Sequence, residues 1–180
     1  MRLFIAFRFS ERFLDALDEL TGALCREAVR ARPTLRDNHH LTLAFLGEQE
    51  SAAPWREALE AAQGQATTLV TAGLGCFSRP GGDIWWLGLQ REPKLERLHD
   101  SLNAALAAAG FRPERRPFRP HLTLLREARM PEGFDAAACG ARLLPYALHE
   151  RCDRLSLMRS QRLDGRLVYS ELYGKQLPNA

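Results

Sequence analysis

At 180 residues the chain is long enough for one domain, or for two small lobes on a shared core. It is 46% hydrophobic and 26% charged, with no apolar run long enough to cross a membrane, which sets aside a membrane-spanning helix. A net charge of +3 does not by itself point to nucleic acid, and four cysteines (Cys25, Cys76, Cys139, Cys152) without CxxC spacing read as reduced thiols of a cytoplasmic protein.

Met1–Phe7 is a short apolar run that Arg8 interrupts, and it reads as a first strand over 2–9, not as a signal peptide. Ser10 caps a helix with Glu11 and Asp15 near its start and Phe13, Leu14, Leu17, Leu20 and Leu24 at helical spacing. Pro33 ends that pattern. A strand over about 39–47 follows and closes at Gly47. Ser51 and Pro54 open a second helix with Trp55, Ala58, Leu59 and Ala62 on its apolar face and Gly64 as its stop. Residues 67–77 read as a strand, Arg79–Asp83 as a turn and Ile84–Leu89 as a strand. Pro93 opens a third helix with Leu95, Leu98, Leu102 and Leu106 on one face and Gly110 past its end. A strand at His121 comes next, then strands near 143–149, 153–159 and 167–173, the last two joined by the turn Asp164-Gly165.

Two copies of one phrase stand out, His40-Leu41-Thr42-Leu43 and His121-Leu122-Thr123-Leu124, 81 residues apart (40 to 121). On a strand, His and Thr of each phrase share one face and the leucines the other. At the same shift Leu3–Phe9 falls on Ile84–Gln90, and Leu14 and Leu17 fall on Leu95 and Leu98, with no net insertion. This predicts a duplication, approximately 2–47 and 83–128, within one bilobal domain over 1–180. Many strands without regular βαβ spacing predict an α+β fold with largely antiparallel sheets.

Two histidines suit paired acid–base catalysis, because an ordinary pKa near 6.5 lets one be neutral while the other is protonated. A threonine two residues along can donate to a phosphoryl oxygen and stabilise charge that develops there. Zinc would want three or four ligands close together, and neither phrase supplies a second ligand on its own face. His39 points the opposite way from His40; His99 and His149 read as surface or core-edge positions. Of the 25 basic residues all but Lys94 and Lys175 are arginines. The bland reading of that excess is codon bias in a GC-rich genome; arginine also grips phosphate in bidentate fashion. The densest basic stretch, Arg112 to Arg119, runs into the second phrase, as an anionic substrate would want.

The chain resembles the 2H phosphoesterase superfamily, and within it the bacterial RNA 2′,3′-cyclic phosphodiesterases, also called 2′-5′ RNA ligases. The resemblance rests on His40 to Gly47 and Pro120 to Arg126, with Arg2–Ala6, Trp85–Gly88 and Gly165…Tyr169 as supporting flanks. It implies a bilobal α+β fold with a pseudo-two-fold axis, in which two antiparallel sheets form a central groove with helices outside. It implies hydrolysis of an RNA 2′,3′-cyclic phosphate to a 2′-phosphate, with reversible 2′-5′ ligation. It makes His40 the proton donor, His121 the proton acceptor, Thr42 and Thr123 the phosphate-holding pair, and Phe45 and Arg126 substrate-binding residues. No metal or other cofactor is expected, no membrane, and no obligate protein partner; a cytoplasmic monomer acting on RNA or a nucleotide is.

Strict alternation conflicts with part of that assignment, since it puts Phe45 and Arg126 on the leucine face. The strands must end, twist or bulge after Leu43 and Leu124 for the two to reach a ligand. Rival readings keep the chemistry on another cyclic phosphate or a 2′-5′ oligonucleotide, or keep the groove as a non-catalytic nucleotide- or RNA-binding module. A binder has no need of two proton-transfer groups.

Overall fold

A computed structural model describes residues 1–114 and 116–179; Arg115, part of the basic stretch, lies outside them. Two antiparallel sheets carry the described structure. The first has strand order β3-β1-β8-β9, with β1 Arg2–Phe7, β3 Leu41–Glu48, β8 Arg154–Leu163 and β9 Arg166–Gln176. The second has order β2-β6-β5-β4-β7, with β2 Arg30–Pro33, β4 Thr67–Phe77, β5 Asp83–Leu89, β6 His121–Arg129 and β7 His149–Cys152. Helices α1 Glu11–Glu27, α2 Ala53–Ala61, α3 Pro93–Ala108 and α4 Ala136–Leu143 lie outside the sheets, as the α+β reading expects.

The helices follow the local sequence. Ser10 caps α1 by accepting from the Phe13 amide, and the five apolar residues picked from its spacing are all buried. Leu95, Leu98, Leu102 and Leu106 of α3 are likewise buried. One apolar cluster joins Leu3, Ile5 and Phe7 of β1 to Leu87 of β5, to Leu122 and Leu124 of β6 and to the helix leucines, so both sheets rest on shared packing. Asp164 and Gly165, with φ of 49° and 78°, form the two-residue hairpin turn between β8 and β9.

Four expectations are corrected. The first strand stops at Phe7, because Ser10 already begins the helix cap. Pro33 does not end α1, which stops at Glu27; residues 30–33 form an edge strand against β6, where a proline without an N–H is tolerated. No strand occupies 143–148. Instead Asp135 caps α4, its carboxylate accepting from the amides of Ala137 and Ala138 at 2.9 Å, and the following strand is His149–Cys152. The run Ala136-Ala137-Ala138 favours helix.

The fourth correction concerns the register of the halves. Ala6 pairs with Thr42 and Trp86 pairs with Thr123, so β1 and β5 correspond at an offset of 80 residues (6 to 86), not 81. Burial agrees: the shift of 80 lays core-facing Ile5 and Phe7 on core-facing Trp85 and Leu87, whereas 81 would lay Leu3 on Ile84, which lines the groove. The apolar spacing of both segments tolerates either shift; cross-strand pairing tolerates one.

Candidate active site

Each phrase begins a strand whose leucines belong to the core. Leu41, Leu43, Leu122 and Leu124 are buried, while His40, Thr42, His121 and Thr123 line one groove of about 1040 Å³ between the sheets. The two imidazoles are held alike. His40 Nδ1 lies 2.7 Å from the carbonyl of Asn38, and His121 Nδ1 lies 2.7 Å from the carbonyl of Arg119. A carbonyl can only accept, so Nδ1 carries the hydrogen in both rings and Nε2 is the nitrogen that gains and loses a proton.

Aromatic rings support both. His40 sits 4.9 Å from Phe4 and 5.1 Å, edge to face, from Tyr169. His121 sits 5.1 Å, edge to face, from Phe77 and 5.9 Å from Trp86. Trp86 can lie there because its cross-strand partner is Gly75: a Cβ at Gly75 would come within 2.2 Å of the indole. Burial is the main force holding the His40 imidazole neutral, lowering its pKa to about 4; the Asn38 carbonyl opposes that shift, and the charge of Arg126 adds to it.

The conflict over alternation is resolved by two bulges. Ile5 pairs with Ala44 and Ala6 with Thr42, leaving Leu43 as an extra residue on β3. Trp85 pairs with Leu125 and Trp86 with Thr123, leaving Leu124 extra on β6. The bulged leucines are themselves 81 apart (43 to 124). Each bulge lets two consecutive residues face the core: Leu43 with Ala44, and Leu124 with Leu125. Phe45 and Arg126 thereby return to the groove side, and both line it. Phe45 is 48% exposed, with the Arg2 guanidinium 4.9 Å from its ring centre. Arg126 is followed by Glu127 in a left-handed conformation, φ 51°, whose carboxylate turns to Arg32 at 3.0 Å. Among the described residues no carboxylate pairs with Arg126.

A model of the 2′-5′ RNA ligase superfamily matches residues 10–164. The chain belongs to that superfamily. Within it, an "RNA 2′,3′-cyclic phosphodiesterase" of Geobacillus stearothermophilus is 32% identical over 149 residues, 80% of this chain and 47% of that protein. The chain thus spans about half the length of that relative. One of the same name from Archaeoglobus fulgidus is 35% identical over 136 residues, 72% of this chain and 74% of that protein. A crystal structure of E. coli LigT complexed with 3′-AMP superposes with a TM-score of 0.77 and 28% identity, covering 98% of this chain and 97% of that one.

The 2′-5′ RNA ligase fold of this chain brings together all six residues singled out from sequence: His40, His121, Thr42, Thr123, Phe45 and Arg126. It separates the other histidines by role. His39 is buried, with Nε2 3.4 Å from the Thr21 hydroxyl on α1, and burial lowers its pKa to about 4. His149 is exposed at the start of β7. His99 lines the far part of the groove, stacked on Phe118. Among the described residues no three His, Cys, Asp or Glu side chains converge as a ligand set, and no helix is long and apolar enough to cross a membrane.

Sequence reasoning missed several groove residues. Arg2 and Phe4 alternate with core-facing Leu3 and Ile5, so strand parity alone marks them once the side of β1 is known. Phe77, Arg32 and Arg162 carry no local signal, because their place in the groove depends on which strands neighbour which. Asn38 is the least visible. Its side-chain amide donates to the Leu167 carbonyl of β9 at 2.9 Å, while its own carbonyl holds His40.

Proposed function

We propose that this chain is a cyclic phosphodiesterase that opens an RNA 2′,3′-cyclic phosphate to a 2′-phosphate by two-histidine acid–base catalysis. The observation that carries this reading is the matched pair of imidazoles, each with Nδ1 committed to a carbonyl and Nε2 free to exchange a proton, in one groove with two threonines and an unpaired arginine. The names of the relatives support the substrate class, and the superfamily supports the chemistry.

The phosphate sits between the two strands, its non-bridging oxygens bonded by Thr42 and Thr123 and its charge met by Arg126. His121 takes a proton from water as the water oxygen attacks phosphorus. His40 gives a proton to O3′ as the P–O3′ bond breaks. The nucleoside lies towards Phe45 and Arg2. With a neutral free imidazole, His40 can act as the acid only if the bound phosphate draws a proton onto Nε2. The basic limb of kcat, which reports the complex, is then expected at higher pH than that of kcat/KM, which reports the free enzyme.

The same lowered pKa favours a second assignment, with His40 as base and His121 as acid. The mechanism is unchanged and the roles are exchanged.

Two further readings go with the first. The reaction needs no metal, so EDTA leaves the rate unaltered; loss on chelation with recovery on adding a divalent cation would overturn that. The chain is a single bilobal domain built from a repeat, supported by bulges at equivalent leucines, and acts as a monomer in the cytoplasm, where its four free cysteines stay reduced. The deciding experiment is a turnover panel of cyclic mononucleotides and RNA ending in a 2′,3′-cyclic phosphate, with products resolved by phosphate position. Production of 2′-phosphate is expected; binding without turnover, or a 3′-phosphate product, would refute the reading. Affinity for RNA should fall as salt rises, through the arginines around 112–126.

A further inference from the structure

The groove lining extends past the residues assigned to the cyclic phosphate. Beyond His121 its lining continues over α3 and the segment before β6, through His99, Asn103, Phe111 and Phe118. There the rings of His99 and Phe118 stack at 3.9 Å with 10° between their planes, and the Asn103 side-chain amide lies 3.2 Å from His99 Nε2. His99 and Asn103 are one helical turn apart, beside the leucines that α3 buries, so a rigid helix carries this ledge. None of these residues is needed to hold the cyclic phosphate or to move a proton.

Phosphoryl transfer places the attacking and leaving oxygens roughly in line on opposite sides of phosphorus. If the nucleoside bearing O3′ lies on the His40 side, against Phe45 and Arg2, the nucleophile arrives from the His121 side. Water needs no aromatic ledge there. A nucleoside does: a flat ring system stacks on aromatic faces, and a side-chain amide can pair with a base edge.

The 2′-5′ joining reaction that the family resemblance implies takes a second nucleoside, whose free 5′-hydroxyl is the nucleophile in place of water; we propose that the α3–Phe118 ledge is the subsite that holds it. This rests on the proposed cyclic phosphodiesterase reading and on His121 as the base. O5′ forms the new bond to phosphorus and its proton passes to His121 Nε2. The P–O3′ bond breaks, and O3′ takes the proton from His40 Nε2. The product is a 2′-5′ phosphodiester with a free 3′-hydroxyl, and the two histidines have exchanged protonation states. Reversal of the same steps cleaves a 2′-5′ dinucleotide, with its 5′-linked nucleoside on the ledge.

The test compares two substrates on the wild-type chain, Asn103→Ala and Phe118→Leu. The substrates are 2′,3′-cyclic AMP, which leaves the ledge empty, and 2′-5′-linked diadenosine monophosphate, which must fill it. Each variant is expected to lose about tenfold in kcat/KM on the dinucleotide, the scale of one lost base-stacking contact. Hydrolysis of the cyclic mononucleotide should stay within about twofold. Equal rates for wild type and Asn103→Ala on the dinucleotide, or equal losses of that variant on both substrates, would overturn the ledge. So would a wild-type chain that hydrolyses the cyclic nucleotide and leaves the dinucleotide intact. A wild-type chain inactive on cyclic AMP and on RNA cyclic phosphate would overturn the phosphodiesterase reading itself.

Discussion

The histidine of the first half is held by more of the protein than the histidine of the second. Both rings donate to a carbonyl two residues back. At that position the first half has Asn38, buried and tied through its side chain to β9; the second has Arg119, whose carbonyl bond to His121 is exposed. Between carbonyl and ring the first half has His39, buried against α1, where the second has Pro120. The repeated phrase supplies what the two halves of the reaction share: an imidazole, a hydroxyl and a bulge that re-aims the next side chain. The flanks break that symmetry. An asymmetric reaction needs the break, because one oxygen must leave while another attacks.

The largest expected effect tests whether both rings transfer protons. His40→Ala and His121→Ala should each lower turnover by about 10²–10⁴ with the folded spectrum retained, since both rings line the groove. A near-wild-type rate in either would remove that histidine from the mechanism. A substrate with sulfur in place of O3′ then tells the halves apart, because a thiolate leaves without protonation. The His40→Ala defect should largely vanish on it and the His121→Ala defect persist. Recovery of His121→Ala instead would establish the exchanged roles that the low pKa of His40 favours.

The buried neighbour predicts an acid sensitivity that belongs to the first half. His39 has an ordinary pKa of 6.5 when unfolded and about 4 when folded. The folded state therefore binds fewer protons between those values. The stability this group contributes is complete above about pH 6.5 and is lost as pH falls through about 4, on the order of 3 kcal/mol in all. Denaturant midpoints measured from pH 7 to pH 4 should fall for the wild type and fall less steeply for His39→Leu. Parallel curves would show that the ring is not held neutral by burial.

Next in size are the hydroxyls. Thr42→Ala and Thr123→Ala should each cost about 1–3 kcal/mol of transition-state stabilisation, read from kcat/KM. If only one does so, the phosphate is held from one strand and the groove is less symmetric than its backbone.

The symmetric part of the site was legible in the sequence and the asymmetric part was not. Alternation in two identical phrases exposes His and Thr on one face of each strand, and their repetition at a fixed shift predicts that they meet. The side of Phe45 and Arg126 was not legible, because a bulge is a property of pairing: Leu43 and Leu124 look like ordinary alternating leucines until Ala6 and Trp86 are placed opposite the threonines. Helix α4 escaped because it is only 8 residues long and Gly140 interrupts it; its cap at Asp135 and the alanine run were the available signals. Asn38 was invisible for a simpler reason. Its partner, Leu167, lies 129 residues away on a strand that is not part of the repeat.

The smallest effect bears most directly on the comparison. Asn38→Ala removes the bond to β9 but keeps the carbonyl that holds His40, so the imidazole is freed to tilt without losing its chemistry. About a tenfold fall in kcat is expected, with KM little changed, as for the loss of one neutral hydrogen bond that positions a reacting group. The counterpart change, Arg119→Ala, leaves its own carbonyl in place and removes a charge from the approach to the groove. It should raise KM for RNA and flatten the salt dependence, with kcat unchanged. Nitrogen chemical shifts of His40 supply a second measure. In the wild type they should show one tautomer, hydrogen on Nδ1; in Asn38→Ala they should show a mixture. If Asn38→Ala and Arg119→Ala gave the same kinetic signature, the two halves would hold their histidines equally well, and the tether to β9 would be packing without a part in catalysis.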